Sequence, residues 1–289
     1  MDTPLLWHIP LSHYSEKARW ALDYKRIAHH REVLGPDYLI RAWRATGRGT
    51  LPILFLEGRA IGDSTHIIAA LEQRYSEPSL YPGDVVAQQR ALALEDYFDE
   101  QFGPALRAAI VTPLFRHDPD IALRVLTTGM PDKAYQTLRP LGRVFPAYYR
   151  FRHKIRDVKL EADRVGVNAA LDRIEQERQG RAYLVGDVFT IADLTAAAML
   201  GVLLQPPEIQ YPLNVELPPY LQDYRAALLQ HPAAHWARDI YRLHRGGWRP
   251  ARCQAHRSAT ARVATGGSPT ETRKTLTTSL PSRTDGQHS

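Results

Sequence analysis

The chain has 289 residues, 44% hydrophobic and 24% charged, with 21 prolines, 18 glycines and one cysteine. That balance excludes wholesale disorder and leaves room for two modest domains and a sizeable core. The formal charge of +6 invites a polyanionic partner, but Arg249, Arg252, Arg257, Arg262, Arg273, Lys274 and Arg283, against Glu271 and Asp285, carry +5 of it beyond Gly246. The near-neutral body before that tail has no global field to steer it toward nucleic acid or an anionic membrane.

In chain order, Leu5 to Ile9 reads as a strand and Tyr14 to Tyr24 as a helix. A weak strand follows near Arg31 to Leu34, then a polar helical stretch. Ile53 to Glu57 and Arg59 to Ile61 read as strands joined by a tight turn at Glu57-Gly58, and a helix runs from Ser64 to Tyr75. The order βαβαββα predicts an α/β, thioredoxin-like domain over residues 1–76, with helices covering a mixed sheet that holds one antiparallel pair.

Residues 77–86 are dense in turn formers and form a linker. Residues 87–245 follow helical periodicity and predict an all-α, helical-bundle C-terminal domain. Val86 to Ala109 reads as one long helix that Pro104 kinks or ends. The segment from Phe115 to Tyr149 is broken by Pro119, Pro131, Pro140 and Pro146 into short irregular helices.

Phe151, Ile155, Val158, Ala162 and Val165 recur at helical spacing, which predicts an amphipathic helix. Its solvated face would carry Arg150, Lys154, Asp157 and Glu161. Trp43 and Trp236 are expected in the core or at a domain contact. The apolar run from Ala192 to Leu204 contains Asp193 and is shorter than the roughly 20 residues of a bilayer span, so it reads as a buried helix.

Met1-Asp2-Thr3-Pro4 lacks the basic start and cleavage site of a secretory signal, and a lone Cys253 forms no internal disulfide. A cytoplasmic location and no membrane partner are therefore expected. Residues 246–289 are poor in apolar side chains and predict a disordered basic tail.

Four local signals carry chemistry. Ser12 sits where the first strand gives way to a helix, the place of an N-cap hydroxyl. Leu51 precedes Pro52, which pushes Leu51 toward extended geometry and leaves its backbone free to pair with a peptide-like ligand. Asp63-Ser64 opens a helix whose first N–H groups can bind a carboxylate, while Asp63 meets an ammonium. Thr190-Ile191-Ala192-Asp193 is a capping box, with Phe189 and Leu194 at the staple positions.

Together, Ser12-His13-Tyr14-Ser15, Gly49-Thr50-Leu51-Pro52, Asp63-Ser64 and Thr190-x-x-Asp193, in that order over residues 1 to about 245, resemble the glutathione S-transferase superfamily. The resemblance implies that Ser12 stands at the catalytic Ser or Cys position of zeta-like and omega-like members. It implies that Leu51 pairs through its backbone with the cysteinyl part of glutathione, that Pro52 is the family's cis-proline, that Thr50 beside them is also glutathione-binding, and that Asp63 and Ser64 hold the γ-glutamyl end. The implied co-substrate is glutathione, the implied partners are a small electrophile and a second copy of the chain in a homodimer, and the activity is that of a transferase.

The sequence departs from the usual pattern at His13, Thr50 and Asp63. His13, beside a helix cap, reads as polar surface. His231 and His235 have the i, i+4 spacing of metal ligands but no third ligand, so no metal is assigned. Tyr148 to Lys154 interleaves aromatics with cations, yet helical spacing reads it as a solvated face, and no specific nucleic-acid partner is expected. The rival reading of the chain is a transferase-like fold serving as a non-catalytic interaction or assembly module.

Overall fold

Strand β1 (Leu5–His8) lies parallel to β2 (His30–Val33) and antiparallel to β3 (Ile53–Leu56), which pairs antiparallel with β4 (Arg59–Gly62), giving the order β2-β1-β3-β4. These come from a computed structural model that describes residues 3–35, 37–131, 133–141 and 144–245. The sheet therefore holds two antiparallel pairs, one more than expected. The direction of β3 is set by its pairing with β1, Leu5 opposite Phe55 and Trp7 opposite Ile53, which strand periodicity alone does not specify.

The remaining elements of this first part are α1 (His13–Tyr24), α2 (Tyr38–Thr46) and α3 (Ser64–Arg74), so βαβαββα is the observed order. Helix α1 is buried along most of its length, with Trp20 and Leu22 fully enclosed. Helix α2 buries only Ala42 and stops at Gly47, whose φ of 71° suits a residue without Cβ. Trp43 on that helix is 64% exposed, a correction to its expected burial, because α2 lies on the surface. Trp236 is buried as expected and donates to the Ala182 carbonyl at 2.8 Å.

Between the two parts the chain is anchored at the fully buried Leu80. Its N–H donates to Glu72 at 2.9 Å and its carbonyl accepts from Ile191 at 2.9 Å. Then come α4 (Val85–Tyr97), a π-helical turn (Phe98–Phe102) and α5 (Gly103–His117), in place of one regular helix. Pro104 has no N–H for the Glu100 carbonyl, and the Gly103 N–H reaches back to Phe98, so the ladder widens just before the proline.

The Pro-broken stretch forms α6 (Pro119–Thr127), α7 (Lys133–Leu138), a 3-10 turn (Arg139–Leu141) and α8 (Val144–Arg152). A second 3-10 turn (Asp157–Lys159) leads into α9 (Leu160–Arg178), followed by α10 (Ile191–Leu204), α11 (Pro219–Leu229) and α12 (Pro232–His244). The helix expected from Phe151 to Val165 does not form as one element; its two ends fall in α8 and α9 and the middle is broken. Lys154 takes a φ of 54°, the Ile155 N–H bonds back to the Arg150 carbonyl, and α8 is shut off. Ile155 is buried, but Phe151 and Val158 are 85% and 89% exposed. The expected solvated face is likewise split; Arg150 and Asp157 still pair at 2.6 Å, across the break rather than along a helix.

Helix α10 is the centre of the helical part and packs against α1, α4 and α12, which is why it is apolar on every side. Asp193 starts it: its carboxylate accepts from the Thr190 and Leu184 backbone N–H groups, each at 2.8 Å, and Phe189 and Leu194 are buried at the staple positions. Among the described residues no helix is long and apolar enough to cross a membrane. The tail expected over residues 246–289, with Cys253, lies outside the described residues.

Candidate functional site

A cleft of about 520 Å³ opens where the ends of β1, β3 and β4 face α5 and α8, and Ser12, Thr50, Leu51, Pro52, Asp63 and Ser64 all border it. The six residues expected at the site, five from local sequence signals and Thr50 from the family resemblance, are thus brought to one place. Its size falls within the range of small-molecule sites.

Ser12 ends the turn after β1 in extended geometry and caps α1. Its Oγ accepts from the Ser15 N–H at 3.3 Å. A hydroxyl that accepts one bond keeps its own proton for donation, so half-buried Ser12 can give a hydrogen bond to an anion in the cleft. Ser15 locks the same turn by accepting from the Ile9 N–H at 3.3 Å. Tyr14 is the rival hydroxyl nearby, but it already donates to the Asp99 carbonyl at 3.0 Å and burial pushes its ionisation well up.

The Leu51–Pro52 peptide bond is cis. Pro52 is buried, Leu51 half-buried and Thr50 exposed at the rim. Arg152, at the end of α8, donates to the Gly49 carbonyl and so ties the Pro-broken segment to this loop.

Asp63 caps α3 with its carboxylate, accepting from the Thr65 N–H at 2.9 Å. Its φ of 75° and ψ of 131° are a conformation a non-glycine residue adopts at a cost of order 1–3 kcal/mol, and such strain concentrates at functional sites. Ser64 is buried, and its hydroxyl donates to Asp99 at 3.5 Å.

Asp99 is a site residue that sequence reasoning missed. It sits in the π-helical turn, borders the cleft, and receives the fully buried Lys17 ammonium at 2.5 Å. Lys17 also pairs with Glu95 and donates to Thr65 at 3.1 Å, joining α1, α3 and α4 beneath the cleft. Burial pushes the Asp99 carboxyl up against the opposing pull of Lys17. No local signal marks these partners, since the pairs span 78 and 82 residues of sequence.

His13 is buried, a correction to its expected place at the surface, because the first turn of α1 faces α5. Its Nε2 has no hydrogen-bond partner, and burial, then Arg107, then His153 hold its pKa down to about 3. It is therefore neutral at physiological pH. His153 is lowered to about 3 by burial, Arg107 and Arg152. Away from the sheet the cleft is closed by α5, α6 and α8, which supply Arg107, Ile110, Val125 and Tyr149. These too were not assigned from sequence, although Arg107, Ile110 and Val111 share the i, i+3, i+4 spacing of one helix face. His231 serves the structure, capping α12 and meeting Asp172 at 3.2 Å.

Comparison with known proteins bears on the family of the chain. Residues 6–79 match the family model described as glutathione S-transferase, N-terminal domain, and residues 157–227 that described as glutathione S-transferase, C-terminal domain; together they span half of the chain. Among solved structures, the β-etherase LigF from Sphingobium sp. strain SYK-6 is similar at a TM-score of 0.54 and 20% identity, over 82% of this chain and 99% of that one. A possible glutathione S-transferase from Rhodopseudomonas palustris is similar at 0.52 and 16% identity, over 85% and 96%. A glutathione S-transferase from Methylobacterium radiotolerans, solved in complex with glutathione sulfonate, is similar at 0.50 and 22% identity, over 80% and 92%. No curated protein sequence matches the chain.

Proposed function

The chain belongs to the glutathione S-transferase superfamily, and from that premise we propose that its cleft binds glutathione and that Ser12 holds the thiolate for attack on a small electrophile. The observation that carries this reading is the Ser12 hydroxyl, acceptor-bonded at a helix start and bordering the same cleft as Thr50, Leu51, Pro52, Asp63 and Ser64. The complex of the similar Methylobacterium radiotolerans protein with glutathione sulfonate supports the choice of ligand.

The energetics are sufficient. A thiol with pKa near 8.5 is only a few per cent ionised at pH 7, and lowering it by two units takes about 2.7 kcal/mol. The N-terminus of α1 contributes about 0.3–1 kcal/mol and a hydrogen bond from Ser12 to the charged sulfur about 1.5–3 kcal/mol. Neutral His13 adds no cation. The sulfur lone pair then forms the S–C bond, and the leaving group departs with the electron pair of the bond that breaks.

In this reading the γ-glutamyl carboxylate meets the first N–H groups of α3, and its ammonium lies between Asp63 and Asp99. Leu51 pairs through its backbone with the cysteinyl part, and Thr50 borders it. Ser64 acts mainly through Asp99, to which its hydroxyl is turned. The protein works as a homodimer in the cytoplasm, with no metal, consistent with one cysteine in the whole chain.

Calorimetric titration with glutathione, paired with turnover of an activated aryl halide, tests the reading. Binding in the millimolar range or tighter, and a turnover drop of about tenfold or more in Ser12→Ala, is expected. An absence of heat at millimolar glutathione would instead favour a non-catalytic interaction module.

A further inference from the structure

The far half of the cleft contains a cation with no counter-ion. Arg107 projects from α5 into the cleft, half-buried, and no carboxylate among the described residues forms an ion pair with it. Its Nε is buried without a hydrogen-bond partner. The guanidinium stands over the Tyr14 ring at 5.9 Å from the centroid. Of the carboxylates that also border the cleft, Asp63 caps α3, Asp99 of the π-helical turn is engaged by Lys17, and Glu100 of the same turn is exposed.

A buried guanidinium nitrogen without an acceptor is costly, and a planar fork of donors is suited to a carboxylate. The field of Arg107 is felt by its neighbours, since it helps hold both His13 and His153 neutral. With both histidines uncharged, neither of them competes with Arg107 for an anion.

The surroundings of the cation specify the rest of the ligand. One turn's spacing along α5 places Ile110 and Val111 on the Arg107 face. Val125 of α6 and Leu11 of the β1–α1 turn border the same cleft and complete an apolar wall. Leu11, Ile110 and Val125 also border an adjoining cavity of about 820 Å³ that extends to the loop between α10 and α11. The wall thus offers apolar surface beside a cation in a cleft of about 520 Å³.

We propose that the second substrate is an amphipathic organic anion, an aryl or alkyl carboxylate with its electrophilic carbon toward Ser12, and that Arg107 selects it by pairing with the carboxylate. This rests on the reading of the cleft as the place where glutathione is conjugated. Arg107 is a specificity-determining residue and takes no part in ionising the thiol.

The test separates this proposal from the reading beneath it, because it measures binding of unreactive probes. 3-Nitrobenzoate and its neutral amide are titrated calorimetrically into the full-length protein and into Arg107→Gln and Arg107→Lys, with glutathione titrated separately. The expected result is that the carboxylate binds about tenfold or more tightly than the amide, and that Arg107→Gln abolishes the preference while amide affinity stays the same. Arg107→Lys keeps part of it, since a point charge replaces the fork. Equal binding of the two probes to the unaltered protein overturns the proposal, as does a preference that survives in Arg107→Gln. So does a loss of glutathione affinity in Arg107→Gln without a change in probe preference, which would assign Arg107 to the tripeptide's own carboxylate. Weak glutathione binding beside an intact carboxylate preference would count against the conjugation reading alone.

Discussion

The Arg245 guanidinium donates to the Glu16 carboxylate at 2.8 Å across 229 residues of sequence, both side chains buried, and so fastens the end of α12 to the helix that Ser12 caps. Arg19 pairs with the same carboxylate at 2.7 Å, and Arg245 also reaches Asp23 at 2.5 Å. Arg31 pairs with Asp23 at 2.6 Å. Helix α1 is thereby positioned by charges from the far end of the described chain.

Breaking that network should be expensive. Glu16→Gln leaves Arg19 and Arg245 without their shared carboxylate, and removal of one partner from a buried pair costs about 3–5 kcal/mol. Burial alone would raise the Glu16 pKa, but Arg245 and Arg19 overcome it and hold it down to about 2. A depressed carboxyl pKa stabilises the fold above the unfolded value near 4.5 and loses that contribution as pH falls toward 2. Denaturation by urea should show a wide stability gap between wild type and Glu16→Gln at pH 7 that narrows steadily below pH 4.5. A gap that is independent of pH would contradict the assignment.

Asp193 should behave in the opposite sense. Burial raises its pKa to about 6, against the hydrogen bonds it accepts from Leu184 and Thr190. An acid with a raised folded pKa contributes most below its unfolded value of 3.8, and that contribution is lost as pH rises toward 6. Relative to Asp193→Asn, the wild type should lose stability between pH 4 and pH 6. Asp193→Ala removes the acid half of the capping box while Thr190 stays as N-cap, and it leaves the Thr190 and Leu184 N–H groups without their acceptor, at a cost of about 1–3 kcal/mol. Thermal melts across that pH range read both effects.

The sites that were legible in the sequence are those whose signal is local. Ser12, Asp63 and Thr190 announce themselves as polar residues at the start of apolar-periodic segments, and Pro52 restricts its neighbour whatever the rest of the chain does. Lys17, Glu95 and Asp99 carry no such mark, because their pairing depends on α1 and α4 meeting. The break at Lys154 was hidden because a lysine in left-handed geometry follows an unbroken helical pattern with no glycine or proline. Arg107 looked like an ordinary helix residue, and only the placement of α6 and α8 across from it makes a cleft wall.

Two glycines in helices should respond in opposite ways to alanine. A Cβ at Gly201 of α10 would overlap the Tyr241 hydroxyl, so Gly201→Ala forces the α10 and α12 contact apart and should destabilise by at least about 1–3 kcal/mol. At Gly166 of α9 the nearest atom to an added Cβ is the Ala105 methyl at 3.6 Å, an ordinary contact. Gly166→Ala should therefore stabilise by about 0.5–1 kcal/mol through helix propensity. Chemical denaturation of the two variants side by side decides the matter: an unchanged stability in Gly201→Ala would refute the packing described for α10 and α12, and a loss in Gly166→Ala would refute the open contact described for α9.

If Ser12 lends its proton to a bound thiolate, spectrophotometric titration of the glutathione thiolate in the binary complex reads it most directly. The expected pKa for the wild type lies about two units below the free value of about 8.5, and in Ser12→Ala it returns by about one to two units toward that value. A bound thiol that titrates like free glutathione, or one whose pKa is the same in both proteins, would contradict it.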